Sequence, residues 1–170
     1  MSLFDLTGKV ARETGGGASR GICRAVVEAS AKAGARVVVS SGTQAAREEV
    51  VAKINVDSSI GAMIGAGKIS AYNMSKVADL QLVRNLAVEP GDSNIRINAI
   101  TPGVIHADFA KALWEDPAAE VSLCEALPLG RIGEPAGIGG AAVFLASQAA
   151  AYITGQSIIF DGEATVRSVH

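Results

Sequence analysis

Cysteine, histidine and tryptophan are scarce in this chain of 170 residues, which holds two, two and one of them. Cys23 and Cys124 stand far apart with no CxxC, so neither a disulfide scaffold nor a thiolate zinc site is expected, and a reducing cytoplasmic setting is the default. His106 and His170 are too few for a histidine-built metal centre. Charge is scarce as well. Charged residues make up 19% against 49% hydrophobic, and the formal net charge is −2, so there is no basic field to draw nucleic acid or an anionic membrane. The opening MSLFDLTGKVARE lacks the apolar run of a secretory leader. The length suits one domain, 1–170, with a real core.

One stretch, 135–160, carries no charge and is long enough to cross a bilayer. It is broken by Gly137, Gly139, Gly140, Ser147, Gln148, Thr154 and Gly155, and reads as a buried helix, a turn and a strand. Elsewhere strands and helices alternate. A strand at 9–14 runs into a glycine-rich turn and a helix over 21–33, then comes the β-branched run RVVVS. A polar helix is expected over 43–54 and a short strand over 55–59. A long helix reaches about 89, followed by the strand IRINAI, the turn TPG and two short helices around Trp114. A helix after Pro135 and the strand QSIIFDG close the chain. This order predicts an α/β fold with a parallel sheet.

TGGGASRGI follows the first strand and opens a helix. Glycines there let the backbone approach a pyrophosphate, and the helix N-terminus offers free N–H groups. It is either such a cradle or a plain tight turn. The second strand ends in Ser40 and Ser41, with no acid to bind the ribose hydroxyls of NAD, while Arg20 in the glycine turn could meet a 2′-phosphate. The cofactor is therefore expected to be NADP, with NAD as the alternative.

In SAYNMSK, Tyr72 and Lys76 stand four apart and share a helix face. A phenol alone is a weak acid–base group at neutral pH; a fixed cation beside it favours phenolate. Such a pair could exchange a proton with a substrate oxygen, or be no more than an exposed turn with one aromatic.

Taken together, KVARETGGGASRGI, ARVVVSS, SSIGAMIGAGKISAYNMSK, NIRINAITPGVI, GRIGEPAGIGGAAVFLAS and YITGQSIIFDG resemble the short-chain dehydrogenase/reductase family over most of the chain. The resemblance implies a Rossmann-like, doubly wound parallel sheet in which a nicotinamide cofactor exchanges hydride with a carbonyl or alcohol carbon, and a homodimer or homotetramer. It makes Tyr72 the general acid/base and Lys76 the cation that favours phenolate and holds the nicotinamide ribose. The family's substrate-binding serine lies thirteen residues before the tyrosine, at Ser59, with Ser58 the fallback. Cofactor contacts carry over to Gly15, Gly17, Ser19, Arg20, Gly21, Ile22, Ser40, Ser41, Tyr72, Lys76, Pro102, Gly103 and Ile105. Asn98 would fix the strand leading to the pocket, and Trp114 falls in the segment that forms a lid. His106 is read as a surface loop residue or a cofactor or substrate contact, and Arg131 with Glu134 as a contact at the start of a helix.

The chain also departs from that pattern. Only one helix fits between the second strand and Ser58, where the family has further units, including a strand with an NNAG-like motif and the helix that supplies an asparagine. A shortened sheet of about five strands is expected, with either a gap or two strands newly paired. Arg12 and Glu13 replace apolar residues in the first strand, the glycine turn is two residues longer than TGxxxG, and Cys23 takes the third glycine's place. Gly42, Ala107 and Glu163 depart singly, the last interrupting a DGG ending. An enzyme is one reading; an impaired relative that binds nucleotide or serves association is the other.

Overall fold

The computed structural model describes residues 2–13, 21–39, 53–89 and 95–166. Among the described residues, five strands and four α-helices follow in the order β1 Val10–Glu13, α1 Ile22–Lys32, β2 Arg36–Val39, β3 Lys53–Asp57, α2 Ser70–Val88, β4 Arg96–Pro102, α3 Pro117–Ala126, α4 Pro135–Ala146 and β5 Ser157–Phe160. Short 3-10 helices lie at Ile60–Ala62, Asp108–Leu113 and Gln148–Ala150. Lys53 and Ile54, expected to end a helix over 43–54, belong to β3, where they pair with Arg96 and Ile97 and that register overrides their local propensity; the rest of that expected helix lies outside the described residues. Thr101 and Pro102, expected in a turn, complete β4. No helix among the described residues is long and apolar enough to cross a membrane.

Among the described residues all strand pairings are parallel, in two sheets. β1 pairs with β2 from Val10↔Arg36 to Glu13↔Val39. β4 is flanked by β3, from Lys53↔Arg96 to Asp57↔Ile100, and by β5, from Ala99↔Ser157 to Pro102↔Phe160. Among the described residues neither β1 nor β3 is paired on its other side, so the sheet is interrupted between them. Of the two outcomes open to the shortened sequence, the described residues show no new pairing of β1 with β3. The Arg12 and Glu13 side chains lie outside the described part.

β4 is buried along its whole length because helices cover both of its faces. Ile97 and Ala99 point to α2, where they meet Leu80 and Val83. Ile100 points the other way, to Ile138, Ala142 and Leu145 of α4. Each such aliphatic side chain contributes roughly 1.5–3 kcal/mol by leaving water. α1 packs directly on α4, with Ile22 and Val26 joining that second cluster. Gly139 makes the approach close: a Cβ there would lie 2.6 Å from the Ala25 carbonyl oxygen and 2.9 Å from the Ala29 methyl. The helix pair thus joins the two sheets.

Two buried polar residues of β4 fasten the connection to β5. Arg96, 8% exposed, donates to the carbonyls of Leu145 (2.7 Å), Ser147 (3.4 Å) and Ile153 (3.1 Å), satisfying the end of α4. Burial lowers its guanidinium from its ordinary value. Asn98, 1% exposed, donates to Ile153 O at 3.0 Å and accepts from Gln156 N at 3.1 Å, fixing this strand as its position implied.

Candidate functional site

α2 presents Tyr72 and Lys76 on successive turns of one face. The ammonium nitrogen lies 5.7 Å from the tyrosine ring centroid, within the range of a cation–π contact. It also bonds Asp79 Oδ2 at 3.0 Å, an i,i+3 pair that steadies it and shares its charge. Both side chains are partly screened from water, with 23% and 32% exposed.

The two serines after β3 have different duties. Ser58 is buried; its amide donates to Ile100 O at 2.8 Å, and its hydroxyl donates to the Lys76 carbonyl at 3.1 Å. It is a tie between strand and helix. Ser59 caps the Ile60–Ala62 turn, its Oγ accepting from Gly61 N at 3.1 Å, so that bond does not engage the hydroxyl proton. That turn leans on α2: a Cβ on Gly61 would collide with the Asn73 amide and lie 3.4 Å from the Tyr72 ring. On the Tyr72 ring, Phe109 stacks at 6.0 Å with 29° between planes.

The chain after β4 completes the arrangement. Gly103 N donates to Phe160 O at 3.0 Å, and a Cβ at 103 would lie 2.9 Å from Asp161 Cα, so the loop leaves the sheet only because glycine stands there. Ile105 bridges to Gly133, and its side chain is in the core at 2% exposed. Two residues on, the Ala107 methyl lies 3.5 Å from where a Cβ on Gly21 would be. Gly21 has φ +79° and precedes α1 without a side-chain cap, while Ile22 begins the helix. Residues 105–109 thus run from the N-terminus of α1 to Tyr72, beyond the carboxyl end of β4 where open α/β sheets bind ligands. Gly15, Gly17, Ser19, Arg20, Ser40 and Ser41 lie outside the described residues. A cavity of about 390 Å³ near the end of β5 is lined by Val104, Leu129, Arg131, Ile159 and Glu163, not by Tyr72.

Sequence reasoning gave His106 and Glu134 other partners. The imidazole bonds Glu134 Oε1 through Nδ1 at 2.7 Å and Glu120 Oε1 through Nε2 at 3.1 Å, and meets Trp114 edge-on at 5.1 Å. Arg131 instead donates to Ile132 O at 3.4 Å. The Glu134 bond raises the His106 pKa from 6.5, against partial burial and with help from Glu120. No sequence signal marked this cluster, whose members are 14 and 28 residues apart.

A family model described as enoyl-(acyl carrier protein) reductase matches residues 52–165, more than half of the chain. Dehydrogenase/reductase SDR family member 4 of Bos taurus is 41% identical over 109 residues, 64% of this chain and 39% of that protein. A tropinone reductase homolog of Arabidopsis thaliana is 43% identical over 109 residues, 64% of this chain and 41% of that one. The match spans about two fifths of either relative's length. The Pseudomonas aeruginosa RhlG/NADP active-site complex superposes with a TM-score of 0.84 over 98% of this chain and 100% of that one, at 22% identity. The family model, the 41% and 43% identities, the YxxxK face of α2 and the shared fold agree: the chain belongs to the short-chain dehydrogenase/reductase family of oxidoreductases.

Proposed function

We propose that the chain is an NADP-preferring dehydrogenase/reductase acting on a small carbonyl or alcohol substrate. The observation that carries this is the Tyr72–Lys76 pair at 5.7 Å, with Ser59 on the neighbouring turn and the α1 N-terminus at the same end of the fold. Tyr72 donates its proton to the substrate oxygen during reduction and accepts one during oxidation. Lys76 favours the phenolate left behind. Ser59, whose hydroxyl proton its cap does not use, donates to the same oxygen and orients the carbon; Ser58 does not, having given its proton to Lys76 O.

The described residues fit the nicotinamide half of the cofactor. Gly21 and Ile22, where α1 begins without a side-chain cap, would hold the pyrophosphate, Lys76 would hold the nicotinamide ribose, and Pro102 and Gly103 would flank the ring. Ile105 contributes through its backbone, its side chain being in the core. Gly15, Gly17 and Ser19 would add phosphate contacts by the family resemblance alone, since they lie outside the described residues. Arg20, with Ser40 and Ser41 in place of an acid, favours the 2′-phosphate of NADP. When bound, the cofactor supplies or takes up the hydride. RhlG, a solved structure of this fold, is an NADP complex. The test is NADPH consumption with a panel of ketones and aldehydes, expected with this chain and absent with Tyr72→Phe; turnover that survives the substitution removes Tyr72 from this role.

A second reading, an impaired member that serves association, has its own observation. α2 exposes Met74 (73%), Val77 (51%) and Leu82 (49%), apolar area for another copy to cover. A strictly monomeric peak in size-exclusion chromatography contradicts it.

A further inference from the structure

His106 holds together three segments that sequence keeps apart. Its own amide donates to Gly133 O at 2.9 Å, anchoring it beside the start of α4. Its ring nitrogens then reach Glu134, the residue that precedes α4, and Glu120 in the first turn of α3. Trp114, which meets the ring edge-on, closes the Asp108–Leu113 turn that carries Phe109 onto Tyr72.

We propose that His106 is a proton-operated clasp, a positioning residue that ties Trp114 and Glu120 to the start of α4 and so steadies segment 108–126, whose Phe109 stacks on Tyr72. A neutral imidazole has one N–H; it can donate to one carboxylate and must turn a lone pair to the other. The imidazolium donates to both. Both contacts therefore exist together only with the extra proton, and the longer one, to Glu120, is the one released. The groups on the neighbouring elements agree with this. Glu120 faces the ring from α3 and Glu134 from the start of α4, where it also offsets the positive end of that helix. On α3 Asp116 caps Ala118 N, and Lys111 of the 3-10 turn is paired with Glu115 at 3.1 Å. The two carboxylates sit on opposite sides of the ring, and no metal-binding cluster of three such groups occurs among the described residues. Since the His106 pKa is raised above 6.5, the clasp is fully closed below that value and opens as pH rises through the higher folded one. That the clasp acts on a working catalytic group, through Phe109 on Tyr72, rests on the role proposed for Tyr72; the clasp does not.

Trp114 is the chain's one tryptophan, and an imidazolium at its edge quenches indole emission. The experiment is a pH titration of that emission on the full chain, beside amide hydrogen exchange of 108–126. Emission should rise through a single step with its midpoint above 6.5, and exchange, corrected for intrinsic rates, should quicken through the same step. His106→Gln should remove the step, Glu134→Gln should move it to lower pH, and Glu120→Gln should do so by less. If His106→Gln does not fold, the two glutamate variants decide alone. A midpoint at or below 6.5, a midpoint unmoved by both glutamate variants, or a step that survives His106→Gln overturns the proposal. No readout needs turnover, so an inactive chain with an intact step fails the enzyme reading and leaves the clasp standing.

Discussion

Tyr72 is a phenol whose usefulness depends on what surrounds it. A cation lies 5.7 Å from its ring, a serine turn stands against it and Phe109 stacks on it, the setting in which the proposed proton transfer would work. General acid catalysis by one positioned group contributes about 10²–10⁴-fold, so Tyr72→Phe should lower kcat by at least about 100-fold with little change in Tm. A second residue-scale consequence lies after β5. Asp161 accepts from Glu163 N (2.9 Å), Thr165 N (2.8 Å) and Thr165 Oγ1 (2.7 Å); burial opposes its charge, yet these bonds hold its carboxyl below the usual 3.8. The turn they build forces Glu163 to φ +75°, a left-handed conformation that strains a residue with a Cβ. Glu163→Gly should raise stability by about 1 kcal/mol, read as a higher denaturant midpoint at constant m. The sequence showed that a DGG ending was interrupted; only the dihedral explains why glycine belongs there.

The elements divide by how local their determinants are. α2 was legible as the long helix that carries YNMSK, whereas Ser59, expected at the end of a strand over 55–59, lies beyond β3 and caps a turn. β3 was less so. Lys53 and Ile54 read as the end of a helix, and only pairing with Arg96 and Ile97 decides otherwise. The His106 clasp was illegible, because it depends on how α3 and α4 come to lie on either side of one loop. At this scale the contact with most consequence is α1 on α4. Gly139→Val should overpack it and cost about 1–3 kcal/mol, measured as a fall in Tm, while circular dichroism keeps its helical content.

For the molecule as a whole, the missing unit was visible in the sequence as absent motifs, but its outcome was not. Whether a sheet closes or stays open depends on where the helices set its parts, and here α1 on β1–β2 packs against α4 on β3–β4, while β1 and β3 are not paired among the described residues. A two-stranded parallel sheet is weak by itself, and unpaired strand edges cost free energy wherever water cannot reach them. Hydrogen exchange should therefore be faster in β1, β2 and α1 than in β4 and α4; equal protection would mean that the fold opens as one unit.

The central claim is that the face bearing Tyr72 and Lys76 meets a nicotinamide cofactor at the α1 end of the fold. Equilibrium titration of NADPH fluorescence with the full chain and with Lys76→Met tests it most directly. Saturable binding to the full chain is expected, with at least about tenfold weaker binding to the variant, as loss of a charge-assisted hydrogen bond of about 1.5–3 kcal/mol requires. No change in NADPH emission at millimolar concentration, or equal affinity for both chains, would contradict it.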